Sequence, residues 1–131
     1  MSKTTFDPES PIIELDIILY GEGGTKRRIK AALDTGATYT MIPWDIAEAL
    51  GYKPEISKEK VTLITASGVE TAPVVDIKKI KFMDENVDNV PVVCHDLPPK
   101  SYVVGLLGSS FLRHFKIIID YRKGSLEITA E

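Results

Sequence analysis

The stretch Ala31–Ile42, AALDTGATYTMI, decides the fold of this chain. Asp and Gly are poor strand residues, so Asp34-Thr35-Gly36 directly after Ala-Ala-Leu predicts that a strand ends there in a tight polar loop. Two interpretations of this loop are open. Asp and Gly are common in ordinary turns, whereas a carboxyl group held on a rigid loop beside the hydrophobic interior suits acid–base chemistry. Taken alone, the three residues favour the turn.

Composition and charge narrow the class of protein. The chain has 131 residues, 44% hydrophobic and 27% charged, which predicts one globular domain with a packed core. The net charge of −3 gives no basic surface for nucleic acid. No apolar run reaches the roughly 18–20 residues of a membrane span, and the polar N-terminus, MSKTTFDPESP, lacks the apolar core of a secretion signal. The single cysteine, Cys94, excludes an intrachain disulfide and fits a reducing compartment, so we expect a cytoplasmic protein. From the charge and the hydropathy we expect no nucleic-acid and no membrane partner.

Two apolar segments before Asp34 predict a β-hairpin. Ile12–Tyr20 and Thr25–Leu33 are rich in aliphatic residues with partial alternation, and residues 21–24, GEGG, are turn residues. GEGG lacks the spacing of a phosphate-binding loop, and a strand pattern follows it instead of the required helix. We therefore expect a hairpin that delivers Asp34 to its loop, after an irregular tail over residues 1–10.

Two short helices are predicted, and each of them follows a strand. Pro43 at a first helical position and Gly51 past the end bound a helix of about two turns. Ser109–His114 is a second short helix, which one of its first two serines can cap. The other segments have strand patterns, so the expected fold is all-β with short helices over residues 11–131.

A second hairpin is predicted from Val61–Ala66 and Val69–Val75, with its tip at Ala66–Val69. Its second strand continues to Phe82, and Asp84–Asn89 follows as an acidic loop. A glycine-containing hairpin tip can close over a groove as a lid. The residues alone favour a plain hairpin.

The C-terminal half repeats the plan of the N-terminal half. Further strands are predicted at Val90–Cys94, at Phe115–Tyr121, which is expected to be buried, and at Ser125–Thr129. The order of strand, tight glycine loop and short helix over residues 12–51 recurs over residues 74–115. The second copy has Leu106-Leu107-Gly108 where the first has Asp-Thr-Gly, so one chain carries one such carboxylate.

The two motifs together resemble those of the retropepsin-like (clan AA) aspartic proteases. Ala31–Ile42 matches the active-site pattern of this family, and Leu106-Leu107-Gly108 is similar to its second-half motif. The likeness extends from about Ile12 to Ile128 and is greater to the bacterial, archaeal and cellular enzymes than to the viral ones. It implies a retropepsin-like acid-protease barrel: a closed β-rich monomer with a flap hairpin, assembled as a homodimer.

The resemblance implies an aspartic endopeptidase that uses no cofactor and no metal. In such an enzyme two carboxylates share one proton; one accepts a proton from a water while the other protonates the peptide carbonyl. Because one chain supplies one such residue, the implied enzyme is a symmetric homodimer with Asp34 from each subunit on the two-fold axis, acting on peptides or proteins. Asp120 is followed by Tyr-Arg instead of Thr-Gly and is rejected as the second acid.

The resemblance also assigns roles around Asp34. Thr35 and Gly36 support the active-site loop, and Ser125–Thr129 contributes to the dimer sheet. Substrate-binding positions are expected on the loop, at the flap tip and in the second motif: Ala37, Thr38, Ala66, Ser67, Gly68, Val69, Val104 and Leu106. Viral enzymes carry an Asp and an Arg where this chain has Thr38 and Ser109, so recognition of the substrate backbone is expected to differ from theirs.

Two alternatives stand beside the protease. A peptide-binding or scaffold module can use the same fold with weak or no catalysis. A thiol or metal site at Cys94-His95-Asp96 is the other, but adjacent strand residues point to opposite faces. A buried structural cysteine and a surface histidine are therefore the favoured interpretation of that segment.

Overall fold

The structure is a computed structural model that describes residues 1–130, apart from the side chain of Thr65. Ten β-strands and two α-helices form in these residues. The strands are β1 (Ser2–Thr5), β2 (Glu14–Tyr20), β3 (Lys26–Leu33), β4 (Thr40–Ile42), β5 (Lys60–Thr65), β6 (Gly68–Phe82), β7 (Glu85–Cys94), β8 (Gly105–Leu107), β9 (Phe115–Asp120) and β10 (Ser125–Ala130). The helices are α1 (Trp44–Ala49) and α2 (Ser109–Leu112), and no helix in the described part is long and apolar enough to cross a membrane.

Seven strands form a mixed sheet in the order β2-β3-β8-β4-β7-β6-β5. An additional antiparallel pairing joins β2, the first strand of this order, to β6, the sixth, so six of the strands close a barrel. The hairpin formed by β5 and the first part of β6 projects from this barrel. The predicted closed, β-rich fold with short helices and a second, projecting hairpin is confirmed.

Alternation of side chains explains how these strands fill the barrel. In β2, Leu15, Ile17 and Leu19 are buried, and Glu14 and Asp16 between them are exposed. A strand places successive side chains on opposite faces, so this pattern buries one face of β2. The same alternation fills the core from the other strands and from the inner sides of α1 and α2.

The helix α1 forms where it was predicted. Pro43 precedes it with an extended backbone, and Gly51 follows it with φ of 91°, a conformation that glycine adopts without strain. Ala47 and Leu50 are buried against the core. The predicted first hairpin also forms, with the short 3₁₀ turn Glu22–Gly24 between β2 and β3.

A second, three-stranded antiparallel sheet has the order β1-β10-β9. The prediction of an irregular tail over residues 1–10 is therefore wrong for β1, which pairs with β10 from Ser2↔Ile128 to Thr5↔Ser125. Ser2 is buried, and its hydroxyl donates a 2.7 Å hydrogen bond to Glu85. Short polar strands of this kind depend on the edge they join, which local sequence does not reveal.

Two further predictions need correction. The acidic segment Asp84–Asn89 is not a loop, because β7 already begins at Glu85 after a tight turn in which Met83 has φ of 55°. Phe115–Tyr121 was expected to be a buried strand, but β9 is the edge of its sheet and Ile118 is 48% exposed. The last residue of the predicted domain, Glu131, lies outside the described residues.

Candidate active site

Asp34 is the first residue after β3. That strand runs parallel to β8, with Ala31 opposite Gly105 and Leu33 opposite Leu107. The Asp34 N–H donates a hydrogen bond of 3.0 Å to the Leu107 carbonyl, which extends this pairing into the loop. The half-buried carboxyl group therefore sits at the end of two core strands, on a backbone that both halves of the chain hold.

The loop also holds the carboxyl group itself. The Gly36 N–H donates to Asp34 Oδ1 at 3.1 Å, and the Ala37 N–H donates to the Asp34 carbonyl at 3.2 Å. This is the local hydrogen bonding by which Asp stabilises a turn. Within residues 1–130, Asp34 Oδ2 accepts no hydrogen bond. The turn and acid–base interpretations are thus compatible, because the turn orients one oxygen and leaves the other for a ligand.

The second-half motif fastens the far side of this loop. The Ser109 N–H donates to the Ala37 carbonyl at 2.7 Å, and the Gly108 N–H donates to Thr40 Oγ1 at 3.1 Å. The Thr40 N–H in turn donates to Ser110 Oγ at 2.9 Å. Thr40 and Ser110 are buried, so these bonds are shielded from water. The expected side-chain cap of α2 does not form, and the Ser110 hydroxyl binds the first residue of β4 instead.

Gly108 is needed for this close approach. A Cβ atom there would lie 2.5 Å from the Tyr39 carbonyl oxygen and 2.8 Å from that of Ala37. Both distances are far inside van der Waals contact, and both obstacles are backbone atoms. Gly105 has the same role in β8, where a Cβ atom would lie 2.6 Å from the Met41 carbonyl oxygen. Gly105 and Gly108 thus let the second half pack beneath the Asp34 loop.

The hairpin of β5 and β6 covers one side of a large cleft. The cleft has a volume of about 560 Å³, and its lining is mainly apolar. The residues that line it are Met41, Leu63, Ile64, Ala66, Ser67, Glu70, His95, Asp96, Leu97, Pro98, Pro99 and Leu106. The hairpin tip, Ala66–Ser67, lines the same cleft as Leu106, which lies beside the Asp34 loop in the parallel pair of β3 and β8.

A neighbouring cavity of about 270 Å³ lies under the same hairpin. Ala37 and Thr38 line it, and Met41, Leu63 and Leu106 line both cavities. Five predicted substrate-binding residues therefore lie around two adjoining cavities: Ala37, Thr38, Ala66, Ser67 and Leu106.

Other predicted site residues lie elsewhere. Val104 lines a separate cavity of about 300 Å³, together with Pro43 and Ile46, so it is not brought together with Leu106. Val69 is 71% exposed, and Gly68 has φ of 125° at the hairpin tip. Neither of the two lines the cavities described above, and the same holds for Thr35 and Gly36, which are exposed on the Asp34 loop.

One polar contact in the cleft, between His95 and Glu70, has no counterpart among the sequence predictions. His95 Nε2 lies 3.5 Å from Glu70 Oε2, so the pair joins the hairpin strand β6 to the segment after β7. The His95 side chain is 31% exposed and lines the cleft. Neither residue belongs to a motif, and their proximity follows from how the hairpin folds back, which no local pattern encodes.

The thiol alternative does not fit the geometry. Cys94 is buried, and burial raises the pKa of its thiol to about 12, so the nucleophilic thiolate is scarce at neutral pH. Asp96 Oδ1 accepts the Trp44 N–H at 3.0 Å at the start of α1. In the described part of the chain no three His, Cys, Asp or Glu residues are grouped as metal ligands.

The barrel, the Asp-Thr-Gly loop fastened by the second motif and the hairpin-covered cleft define a retropepsin-like aspartic protease. Residues 24–114 match the family model described as "gag-polyprotein putative aspartyl protease". That match spans most of the chain, so the chain belongs to this family of aspartyl proteases. No curated protein matches the chain.

One of the similar solved structures shares the fold over nearly the whole chain. The retropepsin-like aspartic protease from Rickettsia conorii is similar with a TM-score of 0.71 and 22% identity, covering 97% of this chain and 88% of that one. The solution structure of the Simian Foamy Virus (mac) protease has a TM-score of 0.49 and 22% identity, with 76% of this chain and 91% of that chain covered. The predicted likeness to bacterial members is confirmed at the level of fold by the first of these.

Proposed function

We propose that this protein is an aspartic endopeptidase that works as a symmetric homodimer, with Asp34 of each subunit forming the catalytic dyad. The observation that carries the proposal is the position of Asp34. Its carboxyl group is held by the Gly36 N–H, its backbone is held by Leu107, and one oxygen has no partner in the described chain. A reacting group held in this way loses little orientational freedom on reaching the transition state.

The chemistry requires a second carboxylate. Two like charges about 3 Å apart cannot both be ionised, so such a pair holds one proton between them. The ionised member takes a proton from water as it attacks the peptide carbonyl, and the protonated member gives its proton to the carbonyl oxygen. Asp120 cannot serve, because it lies in the separate sheet and its Oδ1 accepts the Lys123 N–H at 3.0 Å.

A two-fold axis supplies the missing group, because it places the same residue of two copies opposite each other. In that arrangement the exposed Thr35 contacts the partner's loop, and the Gly36 carbonyl accepts a substrate N–H. The exposure of both residues in one chain supports these roles.

The cleft supports a substrate with bulky apolar side chains. Leu63, Met41 and Leu106 line both cavities under the hairpin, and burial of apolar side chains there is favourable by about 25 cal/mol per Å². An extended peptide alternates its side chains, so successive subsites take alternate residues. The hairpin of β5 and β6 acts as the flap over this peptide.

The test compares wild type with Asp34→Asn on an unbiased peptide library, from acidic to near-neutral pH. We expect cleavage beside bulky apolar residues, reduced by at least about 100-fold in the variant, because a general acid–base group contributes about 10²–10⁴-fold. Asp88→Asn is the matched control, since Asp88 is exposed on β7, and it should cleave like wild type. Equal cleavage by wild type and Asp34→Asn contradicts the proposal.

One observation favours a second candidate, a peptide-binding module without proteolysis. Within one chain the two cavities under the hairpin are formed without Asp34, so a peptide can occupy them in the absence of the dyad. Binding of apolar peptides with equal affinity by wild type and Asp34→Asn, without any cleavage by wild type, would support this candidate. Cleavage that depends on Asp34 excludes it.

A further inference from the structure

The outer face of the barrel carries a basic patch that is separate from the candidate active site. Residues paired across neighbouring strands lie on the same face of a sheet, so the pairings of β2 with β3 and with β6 define this patch. It consists of four cations around two residues of β2: Lys26, Arg28, Lys79 and Lys81 around Ile18 and Tyr20. None of these described residues lines the two cavities under the hairpin of β5 and β6.

The four cations of the basic patch form two rows, one on each side of β2. Lys26 and Arg28 form the row in β3, and both are exposed. Lys79 and Lys81 form the row in β6, and both are half-buried. Within a row the Cα atoms are about 7 Å apart, and the rows are about 10 Å apart because β2 lies between them.

The charge of the basic patch is not compensated within the described residues, where none of its four cations forms an ion pair. The neighbouring Lys30, by contrast, lies 3.1 Å from Asp16 Oδ1 and 3.7 Å from Glu14 Oε1. Asp88 of β7 lies opposite Lys79 in the ladder, yet the two form no ion pair in the described part. In a chain of net charge −3, such a concentration of positive charge attracts an anionic partner.

The basic patch is rigid, because both edges of β2 are occupied. This strand pairs with β3 from Glu14 to Tyr20 and with β6 from Ile17 to Tyr20. The Tyr52 hydroxyl donates a 2.6 Å hydrogen bond to the Tyr20 carbonyl, and Lys79 Nζ lies 4.2 Å from the centroid of the Tyr20 ring. Since a partner cannot add a strand beside β2, it is recognised here through side chains.

We infer that the basic patch docks an acidic segment of a partner protein, in which two carboxylates are separated by one residue. Alternate side chains of an extended segment lie on one side, about 7 Å apart, which is the spacing within each row. A segment along β2 places one carboxylate between Lys26 and Lys79. Its other carboxylate then lies between Arg28 and Lys81, so each accepts charge-assisted hydrogen bonds from both rows. This binding goes beyond the proposed proteolysis and does not depend on it.

The surroundings of the basic patch favour a short acidic segment over a long polyanion. The outer face of β2 continues to Asp16 and Glu14, and Asp88 lies beyond the row in β6. A nucleic acid or an anionic membrane would extend over these carboxylates and be repelled by them. Two carboxylates fit between the acidic limits of the patch.

A cavity beside the basic patch has room for the continuation of the segment. Its volume is about 450 Å³, and residues of β1, β2, β3 and β6 line it, among them Arg28 and Lys81. Glu14 and Asp16 line the same cavity, so a third carboxylate would meet like charge there. We therefore expect uncharged residues to follow the two carboxylates on this side.

Peptide isomers test the spacing. Gly-Thr-Glu-Thr-Glu-Thr-Gly has alternate carboxylates, and Gly-Thr-Thr-Glu-Glu-Thr-Gly has adjacent ones; both are acetylated and amidated, so their charges are equal. NMR titration of the isotope-labelled protein should move the amide signals of β2, β3 and β6. We expect the alternate peptide to bind at least about threefold more tightly, because adjacent residues of an extended chain point to opposite sides. Added salt should weaken it, and the same peptide with Gln for Glu should not bind.

Charge variants test the patch itself. Arg28→Gln/Lys81→Gln should raise the dissociation constant of the alternate peptide at least about fivefold, because two cations are lost from one carboxylate. Lys53→Gln/Lys58→Gln removes two exposed cations before β5 and is the matched control, which should stay within about twofold of wild type. Arg28→Glu/Lys81→Glu should instead prefer Gly-Thr-Glu-Thr-Lys-Thr-Gly, which wild type should bind less well than the alternate peptide. This reversal separates the loss of charge from a loss of folding.

Equal affinity for the two isomers, or equal weakening by the control double variant, overturns the docking site. Tighter binding of a thymidine oligonucleotide or of anionic vesicles than of the alternate peptide, lost in Arg28→Gln/Lys81→Gln, overturns the acidic segment as the ligand. Asp34→Asn should bind the alternate peptide like wild type, so the docking site and the proposed protease are supported or contradicted separately.

Discussion

The N–H of Asp34 donates to the carbonyl of Leu107 at 3.0 Å, so the candidate catalytic residue of the first half is bound directly to the second half. The pairing of β3 with β8 leads up to this bond, and the bonds from Gly108 and Ser109 follow it. The Asp34 loop is thus held by its own turn and by the second motif beneath it. Variants of the second motif should therefore alter the loop without touching Asp34.

Thr40→Val tests the buried polar contact beneath the loop. The Thr40 hydroxyl accepts the Gly108 N–H at 3.1 Å, and both residues are buried, so valine leaves that N–H without a partner. We expect the free energy of unfolding to fall by about 1–3 kcal/mol. Urea denaturation measures the change. Thr38→Val, at an exposed position on the same loop, should lie within about 0.5 kcal/mol of wild type.

Gly36→Ala and Gly108→Ala make the same change in the two halves and should differ in outcome. At Gly108 a Cβ atom meets the Tyr39 carbonyl oxygen at 2.5 Å, and we expect a loss of stability of about 1–3 kcal/mol or more. At Gly36 the nearest such contact is Asp34 Oδ1 at 3.5 Å, an ordinary distance. Gly36→Ala should therefore have the unfolding free energy of wild type. It should lose peptide cleavage, because in the proposed enzyme the substrate backbone approaches this residue. Equal destabilisation of both variants contradicts this reading of the two glycines.

The predictable part of the fold was the part with local signals. Alternating apolar residues predicted β2 and β3, and Pro43 with Gly51 bounded α1. The Asp34 loop was predicted because strand, carboxylate and glycine follow one another in the sequence. Each of these signals depends on neighbouring residues, for which periodicity and turn chemistry are informative.

The remainder depends on partners that are distant in sequence. The polar strand β1 forms because it pairs with the edge of β10. Thr40 is buried, and its hydrogen bonds are with Gly108 and Ser110, about 70 residues further along the chain. The family resemblance assigned Val104 to substrate binding together with Leu106, yet Val104 lines another cavity with Pro43. Alternation predicts which face of a strand is buried, but it does not identify the element that buries it.

Cys94 gives a prediction for alkaline pH. Burial raises its pKa from 9.0 to about 12, so the folded state keeps the thiol proton that the unfolded state loses above pH 9.0. The folded state then binds more protons, and its stability falls as pH rises from 9.0 towards 12, by up to about 1.4 kcal/mol per pH unit. Cys94→Ala lacks this group, so the stability difference between the two proteins should shift in favour of the variant over that interval.

The measurement is urea denaturation of both proteins at a series of pH values. Thiol labelling gives an independent check, because the native protein should resist alkylation near pH 9 while the urea-unfolded chain reacts readily. Rapid labelling of the native protein, or a pH-independent difference between the two proteins, contradicts the assigned burial.

Glu70→Gln tests whether the contact between His95 and Glu70 steadies the hairpin of β5 and β6. His95 Nε2 lies 3.5 Å from Glu70 Oε2, and the two side chains link β6 to the segment after β7 across the large cavity. Because both side chains are partly exposed, the contact contributes at most about 1 kcal/mol. We therefore expect Glu70→Gln to raise amide hydrogen exchange of residues 60–73 by up to about fivefold.

Glu59→Gln, at an exposed position before β5, is the matched control and should exchange like wild type. Exchange of residues 60–73 at the wild-type rate in Glu70→Gln would show that this contact does not steady the hairpin.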